Sequence, residues 1–134
     1  MNKITDYCKD INNWADSWER EEKDIDVGER ILNNVFIPFF EFLIEKQFSK
    51  KTIKKHMDNI WLLGGELINS VNMDEELRDI NELELVLKFI DSDGGLESMH
   101  NETEEETRSF DSSCKKLYKY LKSNKVISGE YFTH

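Results

Sequence analysis

The chain has 134 residues, enough for one domain that buries a core without disulfide staples. Hydrophobic residues make up 38% and charged residues 34%, and one Pro and six Gly are too few breakers for a many-turned β fold. The formal net charge of −10 counts against general polyanion binding, so any nucleic-acid contact has to come from a local basic face.

Five helical segments follow from the apolar spacing. Ile4, Tyr7, Ile11, Trp14 and Trp18 recur every three or four residues and predict a first helix over about 3–23. The charged run Glu19 to Asp26 then leads toward solvent. A second helix spans about 27–46 and is apolar nearly all round after residue 34, which marks it as central. Pro38 removes a backbone donor and is expected to kink or split it.

Ser49 is placed to cap a third helix over about 50–71, whose stripe is Ile53, Met57, Ile60, Gly64, Leu67 and Val71, widened by Trp61 and Ile68. Gly64 and Gly65 each cost about 1 kcal/mol relative to Ala inside a helix, which predicts a close helix crossing or a local break there. Leu77, Ile80, Leu83, Leu87 and Ile90 predict a fourth helix over about 74–92, stopped by Asp93-Gly94-Gly95. An acidic loop follows to residue 106. Thr103 and Glu106 form a capping-box pair opening a last helix to about Lys125, with Phe110, Cys114, Leu117 and Leu121 as its stripe. The tail from Val126 to His134 is expected to pack back.

These segments predict an all-α fold, a compact bundle of about five helices in a single domain, 1–134. Its expected core is Trp14, Trp18, Phe36, Phe39, Phe40, Leu43, Ile53, Ile60, Trp61, Leu67, Leu83, Leu87, Phe110, Leu117 and Leu121. The most apolar run, Val35 to Ile44, holds Pro38 and Glu41 and is about half the length a spanning helix needs, so no membrane association is expected. Met1 to Asp6 shows no charged-then-apolar leader, which predicts a cytoplasmic setting with Cys8 and Cys114 as reduced thiols.

Catalytic and cofactor signatures are absent: there is no GxSxG, Walker loop, GxGxxG or HExxH, so neither enzyme activity nor a cofactor is expected. Asp91, Asp93 and Glu102 fit positions 1, 3 and 12 of a calcium loop, but Gly95 and Leu96 fail at positions 5 and 6, and a solvated acidic loop is the expectation. His56, His100 and His134 are scattered and are expected to face solvent. Cys8 and Cys114 lie on apolar stripes, where cysteine behaves as a small hydrophobe.

Charge is the most specific signal. Residues 74–106 hold thirteen carboxylates against Arg78 and Lys88. Lys50, Lys51, Lys54 and Lys55 group four ammonium charges at the start of the third helix, within about 8 Å of axial rise. Lys115, Lys116, Lys119, Lys122 and Lys125, with Arg108, form a second basic face. Such clusters can contact phosphates, and the alternative is a solubilising face that pairs with acidic surfaces. The expected partner is therefore another protein or a second copy of the chain, with DNA as the alternative.

Residues 39–68, with Phe42, Leu43, Ser49, Thr52 and Ile53 at the matching positions, resemble the helix pair that opens the SAM-like core-binding domain of phage-integrase-type tyrosine recombinases. His56 stands where that family has a Tyr. The resemblance implies orthogonal SAM-like packing in the middle of the fold and a DNA-contacting role for Lys50, Lys51, Lys54 and Lys55. It implies no recombinase activity, because the family's catalytic domain has no room in this chain. Residues 58–68 and 109–121 are also similar to an uncharacterised bacterial protein family, which implies no activity.

Overall fold

The computed structural model describes residues 4–95 and 103–127. The fold is all-α, as the spacing predicts, with one very short β-hairpin. The N-terminal segment makes two 3-10 turns, Ile4–Asp6 and Ile11–Asn13, before α1 (Trp14–Trp18). Next come α2 (Asp24–Ile31), α3 (Ile37–Glu45) and α4 (Lys50–Met73). A 3-10 turn (Glu75–Asp79), α5 (Glu82–Leu87), strands β1 (Ile90–Asp91) and β2 (Gly94–Gly95), and α6 (Glu104–Ile127) complete the order.

The expected first helix over 3–23 is replaced by turns and the short α1. The chain leaves α1 at Glu19 in an extended conformation. The Asp24 carboxylate then accepts the backbone N–H groups of Arg20 and Glu21, both at 3.0 Å, and folds the charged run into a turn. Asp24 is thus buried rather than led out to solvent.

Pro38 neither splits the second helix nor ends it. Leu32–Phe36 form one π turn between α2 and α3, closed by the Ile37 N–H on the Leu32 carbonyl. Pro38 then falls in the first turn of α3, where a missing N–H costs least. Phe36, Phe39, Phe40 and Leu43 are fully buried, so this segment is the centre of the core.

In α4, Ser49 caps the helix by accepting the Thr52 N–H at 3.1 Å. Gly64 is where α1 meets this helix: a Cβ there would fall inside the Trp18 ring, whereas one at Gly65 would lie an ordinary 3.6 Å from Trp18. Trp18 is held by its indole N–H on the Trp61 carbonyl at 3.0 Å and by an edge-on contact with Phe36. The glycine pair therefore marks a close crossing and not a break.

The expected helix over 74–92 is also corrected. Ile80 is extended, and Asn81 caps a fresh helix by accepting the Leu83 and Glu84 N–H groups. The restart turns Leu85 and Val86 into the core and leaves Leu83 and Leu87 only half-buried. β1 and β2 then pair antiparallel, Ile90 with Gly95 and Asp91 with Gly94. Gly94 takes φ 139°, a backbone conformation closed to most side chains. The capping box of α6 forms as predicted: Glu106 N–H donates to Thr103 Oγ1 and Thr103 N–H to Glu106 Oε1, each at 3.0 Å. The tail beyond residue 127 lies outside the described residues. Among the described residues, no helix is long and apolar enough to cross a membrane.

Candidate functional site

Lys50, Lys51, Lys54 and Lys55 all stand exposed on the first two turns of α4. This end of a helix carries the positive pole of the peptide dipoles, so lysines there oppose the local preference. Helical spacing separates the four. Lys50 and Lys54 face the N-terminal segment, where Lys50 lies 5.9 Å from the Tyr7 ring centroid and Lys54 shares a hollow with Asp10 and Asp58. Lys51 and Lys55 stand two turns and one turn before Asn59, on the flank that faces α6.

The antiparallel packing of α4 and α6 brings the two basic runs together. His56 meets Ser113, while Asn59, one turn on in α4, meets Ser109, one turn back in α6. The start of α4 therefore lies beside the stretch of α6 after Ser113. Lys115, Lys119 and Lys122 are exposed there, and Lys116 is half-buried with its ammonium 4.6 Å from the Phe48 ring centroid. Lys55 and Lys116 are close enough that both act on the charge of His56. The two helices thus bring Lys55 and Lys116 close to His56, while Lys115, Lys119 and Lys122 line a hollow with Tyr118 and Ser92 of the hairpin.

None of these eight lysines forms an ion pair among the described residues. The opposite end of the molecule is different. There Lys23, Arg30 and Arg78 are all ion-paired, and Arg78 bridges Glu21, Asp24 and Glu75. The 24 residues of α4 hold the two ends about 36 Å apart.

Beneath the lysine surface lies a polar cluster that the sequence reading missed. His56 is buried, not solvent-facing as expected. Its position three residues after Ile53 and four before Ile60 is the signal that could have shown this. Asn59 Nδ2 donates to Ser113 Oγ at 2.8 Å, and the same hydroxyl shares a hydrogen bond with His56 Nδ1 at 2.6 Å. Burial, assisted by the Lys55 and Lys116 charges, lowers the His56 pKa from 6.5 to about 4. Its folded pKa thus lies below its unfolded value, so stability is complete above pH 6.5 and falls as pH drops from 6.5 toward 4. The full penalty is about 3 kcal/mol. Urea denaturation from pH 7 to 4.5 is expected to show this slope in the wild type and a flatter one in His56→Gln, whose amide can still hydrogen-bond Ser113 but does not titrate.

Cys114 is fully buried, and burial, with Asp111 adding to it, pushes its thiol up to about 12, so it is not a nucleophile. Cys8 is half-buried and its pKa is raised, first by burial. Both cysteines are free thiols. In the stretch that partly fits a calcium loop, Asp91 Oδ1 accepts the Asp93 N–H at 2.8 Å, and no cluster of three metal-ligating side chains occurs among the described residues. Glu102, His100 and His134 lie outside the described residues. No protein-family model, curated protein or solved structure matches the chain.

Proposed function

We propose that this chain is a non-enzymatic helical interaction module of the cytoplasm that engages an anionic partner through the lysine surface of α4 and α6. The observation that carries this reading is the approach of Lys55 of α4 and Lys116 of α6 to His56, within two exposed lysine runs that form no ion pair among the described residues, the α4 run standing where its charge is least favoured. Proteins depart from local preference mainly where function requires it. The phosphate backbone of duplex DNA suits such a surface, because ammonium groups position phosphates without reading bases. The resemblance of residues 39–68 to integrase core-binding helices points to the same four lysines of α4.

Fluorescence anisotropy of a labelled DNA duplex tests the reading. Four phosphate contacts release enough counterions to weaken binding on the order of a hundredfold between 50 and 200 mM salt. Replacing Lys51, Lys55, Lys116 and Lys119 by Ala is expected to abolish binding. Replacing Lys50 and Lys54, which face the other flank, is expected to weaken it only severalfold. Absence of binding at 50 mM salt rejects DNA and leaves an acidic protein surface, another copy of this chain included, as the partner to seek.

A further inference from the structure

The opposite flank of α4 carries a second surface with the reverse chemistry. Trp61 was expected in the core, yet it is 38% exposed, while Trp14 and Trp18 are only 5% exposed. Its ring is fixed in place. The indole N–H donates to Ser17 Oγ at 3.0 Å, and the Ser17 hydroxyl donates to the Trp14 carbonyl at 2.6 Å. The Trp61 backbone carbonyl in turn accepts the Trp18 indole. An exposed aromatic ring held this way loses little entropy on binding, which is the property of interface anchors.

Beside the ring lies a hollow of about 500 Å³ between the N-terminal segment and α4. Trp14, Ser17, Trp61 and Leu62 form its walls, and Asp10 and Asp58 bring two carboxylates to it. No cationic side chain lines it, and Lys9 and Lys54 stand in the adjoining hollow on the far side of Asp10 and Asp58 without an ion pair to either. Burial raises the Asp58 pKa against the opposing charge of Lys54, so this carboxylate sits in a partly desolvated place.

We propose that this hollow docks an arginine-bearing segment of a partner protein, with the guanidinium stacked on Trp61 and paired to Asp10 and Asp58. Charge complementarity selects a cation. The flat indole face beside carboxylates selects arginine over lysine, because a guanidinium stacks on an aromatic ring and bonds carboxylates in a fork. The site lies on the flank of α4 away from α6, so it does not depend on the anionic partner of the lysine surface.

The test is a titration of the full chain with an acetylated, amidated tetra-arginine peptide, followed by the ¹H–¹⁵N resonances of the three tryptophan indoles. Trp61 is expected to shift and saturate while Trp14 and Trp18 stay still. Asp10→Asn with Asp58→Asn changes two exposed positions and is expected to weaken binding at least tenfold; Trp61→Ala is expected to remove it. An unmoved Trp61 indole overturns the proposal. Equal affinity in the double variant also overturns it, because the peptide would then be held by the acidic end around Glu75.

Discussion

Replacing Asp24 by alanine is expected to lower stability by about 3–5 kcal/mol, the cost of breaking a buried ion pair from one side. The Asp24 side chain is fully buried and bonds Arg78 Nη1 at 2.8 Å and Asn72 Nδ2 at 2.9 Å. It also closes the turn between α1 and α2 on the backbone of Arg20 and Glu21. Alanine leaves the Arg78 guanidinium without its buried partner and two backbone donors without an acceptor. The carboxylate itself titrates late. Burial raises its pKa, but Asn72, Arg78 and the two backbone N–H groups more than offset that and hold it at about 2. A folded pKa below the unfolded 3.8 means that its stabilisation is complete above about pH 4 and is lost as pH falls through 2. Urea denaturation at pH 7 measures the loss in Asp24→Ala. The variant is also expected to lack the part of the wild-type acid transition that lies between pH 4 and 2.

The second large effect separates two adjacent glycines. Gly64→Ala is expected to cost about 3 kcal/mol, because its new methyl group would occupy the Trp18 ring. Trp18 has little room to yield: Gly28 lies near its Cε3 edge, Phe36 meets it at 6.0 Å between ring centres, and its indole N–H is bonded to the Trp61 carbonyl. At Gly65 the same methyl meets Trp18 at an ordinary 3.6 Å. Gly65→Ala is therefore expected to stabilise by up to about 1 kcal/mol through helix propensity and reduced freedom of the unfolded chain. Thermal denaturation of the two single variants reads opposite signs if Trp18 seats on Gly64. A similar loss in both would mean that the pair is a helix break and not a crossing.

Much of the fold was legible because its signals are local. The Ser49 cap, the Thr103–Glu106 capping box and the apolar stripes of α4 and α6 each lie within a few residues of sequence, and all four occur in the structure. The first and fourth predicted helices failed for one shared reason. A three-to-four residue apolar spacing is also met by successive turns, and the side chains that decide between them act from outside the stripe. Asp24 draws the charged run into a turn, and Asn81 restarts the chain after an extended Ile80. Pro38 follows a π turn and sits in the first turn of α3 instead of splitting the helix, an arrangement that depends on how the wider segment packs.

The sequence by itself determined the helical class, the long α4 and α6, the position of the central aromatic segment and the exposure of Lys50, Lys51, Lys54 and Lys55. Those properties follow from which residues leave water and at what period. Tertiary structure alone decided that Lys55 and Lys116 come together, because they are some sixty residues apart in sequence and are brought close by the bonds of His56 and Asn59 to Ser109 and Ser113. It also exchanged the fates of two residues on one helix, burying His56 and leaving Trp61 half open. Periodicity marks a face for burial but does not say which element covers it. α6 brings a serine to satisfy a histidine, and the short α1 ends before it can cover a tryptophan.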